Sequence, residues 1–484
     1  MGQLTSFAGA RVHLTGIKGS GMVALAQVLA SRGADVLGTD TTERFYTDLI
    51  LRDLNIPVVE RFSADNIRPE TRALFYSAAY DPHSHPEIVA AVRAGMPVYT
   101  YTQALGMLSE GVDATAVAGV HGKSTTTAIL GTMVRALELP LTAIVGSSVP
   151  DFDRRAAWVG GTTGLIAETC EYRRHFLAFN PDRILVTSIE ADHLDYYADY
   201  HDVAGAFLEF AHRLPSGGAL VVCADDSGAA ALAKEVSRTR PDVRIVEYGA
   251  SANGPFRVTD VDKEPGVTLL RLAGFEGTIR VPLPGRHNAL NVAGALALLD
   301  DILAATGTRD GLTGSAFTNA ALSVASFKGL ARRSERIGEA SGVLVIDDYA
   351  HHPTAIEAEL AALRDFYPGR RIVLDFMSHT YSRTEALLDR FARAIAHADL
   401  VILHKIYASA REQFSGEVTG RTLADAVSRL HGDVTYIEEH EDALEYALGR
   451  LRDGDIFLTM GAGNNWELGR RVLAGLDTEQ SIKP

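Results

Sequence analysis

The run Gly119-Val120-His121-Gly122-Lys123-Ser124-Thr125 puts two glycines, a lysine and hydroxyls within seven residues. Such a loop binds a nucleotide phosphate: backbone N–H groups cradle the oxygens, Lys123 neutralises charge, and Ser124 offers a hydroxyl to Mg²⁺. Two residues separate the glycines where the usual pattern has four, so the loop is short. A second run, Gly16-Ile17-Lys18-Gly19-Ser20-Gly21, shares the physics, because glycines let the backbone approach a pyrophosphate at a helix N-terminus. Asp40 follows at the end of the next strand-like segment, where a carboxylate accepts hydrogen bonds from a ribose or a base. Alone, this motif does not choose between NAD and a nucleotide-sugar. Glu168 ends the run "LIAE", from which a carboxylate could reach a metal at the phosphate loop. His193 lies in "IEADHLDYY", beside Asp192 and Asp195. Mg²⁺ prefers hard oxygen ligands, so a hydrogen-bonded surface or hinge histidine is the plainer reading of His193.

These residues need strand ends and helix starts to hold them, and the chain supplies both. Three blocks alternate strand and helix patterns, the mark of parallel α/β sheets that work at their carboxyl edges. The first opens with "RVHLTGIKGSGMVALAQVLASRGADVLGTD" and runs through "ALFYSAAY" and "PVYT". The second carries "ATAVAG", "LIAETC", "RILVTSIEADH" and "ALVVCADD". Short alternating runs between about 256 and 284 suggest a small antiparallel patch, and "HNALNVAGALALLDDILAATG" reads as an amphipathic helix. The third block contributes five strands, in "GVLVIDDYA", "RIVLDFMSH", "DLVILHKIY", "DVTYIE" and "DIFLTMGAG". The expected fold is α/β in three domains, each on a mostly parallel sheet: a Rossmann-like 1–112, a P-loop ATPase-like 113–328 and a Rossmann-like 329–484.

Bulk properties narrow the partners. With 46 Lys and Arg against 61 Asp and Glu, the net charge of −15 argues against a general nucleic-acid binder, which needs a basic surface. Two cysteines in 484 residues do not make a disulfide framework and fit a reducing cytoplasm. No apolar run approaches the roughly 18–20 residues of a membrane span, so no membrane insertion is expected.

Taken in order, "GVHGKSTTT", Glu168, "SIEADHLDYY", "GRHNALNVAGAL", "GLARRSERIGE", "VIDDYAHHPTAI", "HTYSRT" and "GAGNNWELG" resemble the Mur ligases, the ATP-dependent amide-forming enzymes of peptidoglycan synthesis. "GIKGSGM" and "DDYAHHP" most resemble the branch that adds L-alanine to UDP-N-acetylmuramate. The resemblance implies an acyl phosphate made from ATP and the muramyl carboxylate, then displaced by an amine after domain closure. It assigns the UDP part to Gly19, Ser20, Gly21, Asp40 and Ser77. It assigns ATP to Gly119, His121, Gly122, Lys123, Ser124, Thr125, His287, Asn288, Asn291 and Asp348, with Arg332 or Arg333 reaching the phosphates. Ser124, Glu168 and His193 would hold Mg²⁺, or Mn²⁺ in its place. His351 and Arg383 would face the amino acid, and Lys123, His193, His351 and Arg383 would carry the catalysis. The protein would be a cytoplasmic monomer or weak dimer.

Three features depart from that pattern. "TCEYRRHF" follows Glu168 where an acidic run is usual, so Arg173, Arg174 and His175 are either a basic loop face or an altered substrate contact. Thr380 stands where an arginine would meet the amino-acid carboxylate, and Arg411 is a candidate replacement. "YADYHDVAGAFLEF" lacks the carbamylated lysine of several sister ligases, which suits the alanine-adding branch. Among other classes, an NAD oxidoreductase leaves the Gly-Lys-Ser loop unexplained. A non-ligase P-loop ATPase would hydrolyse ATP without a carboxylate and an amine. A recycling ligase that adds a tripeptide would take the same acceptor, whereas folate-type relatives generally lack the first nucleotide domain.

Overall fold

Strands Val58–Val59, Asp35–Thr39, Arg11–Thr15, Thr71–Tyr76 and Val98–Thr100 lie in that order in an all-parallel first sheet. The order reverses beside Arg11–Thr15, and such a reversal opens a ligand crevice beyond the strand's carboxyl end. Both faces are covered, so even His13 and Thr15 are buried along with Val12 and Leu14. Helix Ser20–Ser31 follows the glycine turn directly and buries Met22 through Leu29. The computed structural model describes residues 7–191, 196–306, 311–408, 418–461 and 463–482. Asp192, His193, Asp195 and Arg411 lie outside the described residues.

A second sheet runs Arg244–Tyr248, Ala219–Cys223, Arg183–Val186, Asp113–Ala118, Gly164–Glu168, Leu141–Val149, Arg155–Val159. All neighbours are parallel except the last pair. Asp113–Ala118 is therefore central, and it leads straight into the phosphate loop and helix Lys123–Ala136. Two buried threonines of that helix find local acceptors: Thr127 donates to the Lys123 carbonyl at 2.8 Å and Thr132 to that of Ala128 at 2.9 Å.

Helix Arg286–Ala305 differs from its expected amphipathic form. It buries 14 of its residues, Asn288, Asn291 and Asp301 among them. It is the one helix among the described residues that is long and apolar enough to cross a membrane by composition, which revises the reading that no run reaches that length, and 78% of that stretch is buried inside the protein. The Asp301 carboxylate is buried and pairs with Arg183 Nε (2.6 Å) and with Arg244. A further three-stranded sheet, Val258–Glu264, Val267–Leu272 and Ile279–Val281, forms where short alternating runs were read.

The third large sheet has six strands, in the order Glu335–Ala340, Val343–Asp348, Asp455–Gly461, Arg371–Met377, Leu400–Leu403, Val434–Tyr436. The five strands expected from the sequence are parallel, and Glu335–Ala340 is an additional antiparallel edge. Its sequence, ERIGEA, lacks the apolar alternation of a strand because most of it stays part-exposed at the rim. The chain divides into two compact units: 1–262, 269–282 and 286–328 form the first, and 263–268, 283–285 and 329–484 the second.

Candidate active site

In the first unit the phosphate loop is built by two strand ends. The Thr187 side chain donates to the His121 carbonyl at 2.5 Å, and the Ser188 hydroxyl accepts the His121 N–H at 3.2 Å. Gly122 has φ +80°, and a Cβ there would lie 2.5 Å from Asn291 Oδ1, so only glycine fits. That contact also places the start of helix Arg286–Ala305, with Asn288 and Asn291 hydrogen-bonded to each other at 3.1 Å, beside the loop. His287 is exposed at the same helix start.

Lys123 is the loop's cation. Its ammonium donates to the Gly119 carbonyl at 2.5 Å and pairs with Glu171 at 3.0 Å, where Glu171 is only 2% exposed. Burial works against the ammonium, but Glu171, aided by Cys170 and Glu168, outweighs it and holds the lysine above its usual range. Ser124, buried, and Thr125 open the helix behind it. Glu168 ends its strand as expected, and one carboxylate oxygen accepts the Gly146 N–H at 3.0 Å. Ser124 and Glu168 are a hydroxyl and a carboxylate, the oxygen donors that suit Mg²⁺ with waters filling its other positions. Among the described residues no three His, Cys, Asp or Glu side chains cluster as a metal cage.

The glycine turn of the first sheet is packed equally closely. A Cβ on Gly21 would lie 2.8 Å from the Tyr101 ring, and one on Gly16 would lie 2.5 Å from that of Tyr80. Gly19 caps helix Ser20–Ser31 from outside it, with Ser20 as the first helical residue. Asp40 is buried, and its two oxygens accept the N–H groups of Lys18 at 2.7 Å and Thr41 at 2.8 Å. Burial raises the Asp40 carboxyl above its ordinary range, and it also raises Tyr80, with the nearby Asp40 adding to it. Ser77 follows its strand and donates its N–H to the Thr15 carbonyl at 3.1 Å.

In the second unit, Asp348 ends its strand, buried, with its oxygens accepting N–H groups of Ser334 and Ala350 at 2.7 Å each. Arg332 is tied to Asp347 at 3.2 Å and to the Gly461 carbonyl at 2.5 Å; Arg332 and Arg333 both stack over Tyr349, and Arg333 also acts on Asp348. His351 Nδ1 lies 2.9 Å from the Tyr349 carbonyl, so that nitrogen is the donor and Nε2 carries the lone pair. Burial, with Arg383 and His379 adding to it, pushes the His351 imidazolium down to about 4, leaving a neutral ring. Arg383 donates to His379 Nδ1 at 3.4 Å, and the His351 and His379 rings lie 5.8 Å apart. Thr380 takes φ +64°, uncommon for a β-branched residue, and is fixed by its N–H to the Tyr407 carbonyl at 3.0 Å.

Three family models match the chain in order: "Mur ligase family, catalytic domain" over 11–112, "Mur ligase middle domain" over 117–299 and "Mur ligase, glutamate ligase domain" over 332–463. The chain belongs to the Mur ligase family. It is 45% identical over 461 residues to the UDP-N-acetylmuramate–L-alanine ligase of Treponema pallidum (strain Nichols), covering 95% of each chain. It is 37% identical over 466 residues to the enzyme of that name from Desulfitobacterium hafniense (strain Y51), covering 96% of this chain and 99% of that one. Its fold matches the crystal structure of a UDP-N-acetylmuramate-alanine ligase from Thermotoga maritima with a TM-score of 0.81 over 98% of this chain and all of that one, at 24% identity.

For this Mur ligase the sequence left several site residues unread. Glu171, Tyr101 and Tyr80 are among them, since each acts across an element boundary. Tyr101 packs on Gly21 and sits near enough to Glu168 to feel its charge. Lys18 also went unread: its buried ammonium donates to the carbonyls of Thr41 and Glu43 at 2.9 Å and pairs with Glu60 at 2.8 Å. Of the residues in the Arg173–His175 departure, Arg174 pairs with Asp202 at 2.8 Å and Glu209 at 2.5 Å on the following helix.

Proposed function

We propose that this Mur ligase joins L-alanine to the lactyl carboxylate of UDP-N-acetylmuramate in an ATP-dependent reaction of peptidoglycan precursor synthesis, serving cell-wall growth, shape and division. Its near-full-length 45% identity to a protein of that name carries the reading. In the first step a carboxylate oxygen attacks the γ-phosphorus and the bond to the β-phosphate oxygen breaks, releasing ADP. In the second the amine of L-alanine attacks the acyl carbon, the bond to phosphate breaks, and inorganic phosphate leaves.

Each residue then has a task. Lys123 and the loop N–H groups hold the transferring phosphoryl, where fixed charges stabilise a transition state with no reorganisation. Ser124, Glu168 and His193 are read as the ligands of Mg²⁺, which supplies charge neutralisation at the phosphates when bound. Arg333, with Arg332 behind it, and Asp348 serve the nucleotide's phosphates and ribose, while His287, Asn288 and Asn291 serve its base. Gly19, Ser20, Gly21, Asp40 and Ser77 serve the uridine diphosphate. Neutral His351 has a lone pair on Nε2 suited to take the amine's proton, and Arg383 supplies the cation for the amino-acid carboxylate. Domains 1–112, 113–328 and 329–484 would bind the acceptor, ATP and the amino acid respectively, in a cytoplasmic monomer or weak dimer.

ADP release measured with UDP-N-acetylmuramate and Mg-ATP tests the substrate assignment, with L-alanine, L-serine, glycine or L-Ala-D-Glu-diaminopimelate added separately. Release with L-alanine, more weakly with glycine and L-serine, is expected. Release with the tripeptide alone would move the protein to the recycling ligases.

A further inference from the structure

The turn assigned to the uridine nucleotide rests on a carboxylate that the reaction does not use. Glu87 lies in the first turn of helix Pro86–Arg93 and is completely buried. Its Oε2 accepts hydrogen bonds from the hydroxyls of Thr39 at 2.6 Å and Thr15 at 2.8 Å, with His13 Nε2 at 3.3 Å. Its Oε1 accepts from the Asn66 amide at 2.7 Å and the Ser63 N–H at 3.3 Å. Burial works against the charge, yet hydrogen bonds from His13, Asn66 and Thr39 prevail and hold the carboxyl at about 2.

The donors are the informative part. Thr15 is the residue before Gly16, and Thr39 is the residue before Asp40. The Thr39 carbonyl accepts the N–H groups of Gly16 at 2.8 Å and Ile17 at 3.1 Å, and Asp40 accepts that of Lys18. One carboxylate thus joins the strand ends that launch the glycine turn and the acidic residue facing it. Holding a core together does not require this, since well-packed apolar side chains often replace buried charge without loss.

We propose that Glu87 is a positioning residue of the UDP-N-acetylmuramate site: by clamping Thr15 and Thr39 it fixes the register of the Gly16–Gly21 turn against Asp40. The inference rests on reading the first domain as the acceptor site. The test is steady-state kinetics of Glu87→Gln, Thr39→Val and Thr39→Ser, varying acceptor, ATP and L-alanine in turn. Glu87→Gln is expected to raise KM for UDP-N-acetylmuramate about 10–100-fold, the scale of a lost charge-assisted hydrogen bond, with kcat and the other two KM values changed less than about twofold. Thr39→Val should raise the same KM while Thr39→Ser, which keeps the hydroxyl, should restore it. If Glu87→Gln does not fold, the two threonine variants decide the matter in the same way. An unchanged acceptor KM, or all three KM values rising together, would overturn the positioning role. Wild-type enzyme that fails to saturate with UDP-N-acetylmuramate would instead overturn the acceptor assignment, and the proposal with it.

Discussion

Lys123→Met is expected to lower kcat by about 10³-fold or more, because one charge aimed at a transferring phosphoryl contributes on that scale. The same change should destabilise the fold. Glu171 is 2% exposed and its ion pair with Lys123 is 3.0 Å long, so losing the lysine takes the cation away from a buried carboxylate. Removing one partner of a buried pair costs about 3–5 kcal/mol. Adding Glu171→Gln to Lys123→Met should recover much of that stability and none of the turnover, since the amide needs no cation. Urea midpoints and ADP release on the single and double variants separate the two effects. Turnover within tenfold of wild type in Lys123→Met would remove the lysine from the chemistry.

Glu168→Gln carries the second large effect. The amide oxygen can still accept the Gly146 N–H that Glu168 holds at 3.0 Å, so the loop should keep its shape and its melting temperature. What changes is the charge offered to a cation. Activity is expected to fall about 10²–10³-fold, with the Mg²⁺ concentration for half-maximal rate rising as well. Titrating Mg²⁺ into chelator-treated wild-type and variant enzyme reads that shift directly. An unchanged Mg²⁺ requirement would show that Glu168 holds the loop and not the metal.

How much of this was legible beforehand follows sequence distance. Gly119 to Thr125 is a local pattern between an apolar strand and an apolar helix, so both the loop and its chemistry could be read from adjacent residues. The parallel strands, buried on both faces, were legible for the same reason. The edge strand Glu335–Ala340 was not, because a half-exposed rim strand carries no apolar code. Helix Arg286–Ala305 reads as two-faced, yet most of it is buried, and its Asp301 is paired inside the protein by Arg183 and Arg244 from other strands. Glu87 stays hidden in the same way: its partners Thr15, Thr39 and Asn66 come from three segments that only the fold brings together. Thr380, which stands where the resemblance expects an arginine, turns out to be a strained position tied to Tyr407, a property of backbone geometry that residue type does not announce.

The most direct test of carboxylate activation is the fate of oxygen. UDP-N-acetylmuramate labelled with ¹⁸O in both lactyl carboxylate oxygens should be turned over with unlabelled Mg-ATP and L-alanine, and the released phosphate analysed by mass spectrometry. If the carboxylate attacks the γ-phosphorus and leaves as phosphate, each inorganic phosphate formed carries one ¹⁸O atom and the amide keeps the other. Unlabelled phosphate alongside amide product would mean that ATP is cleaved by water or by a protein group, contradicting the acyl-phosphate route.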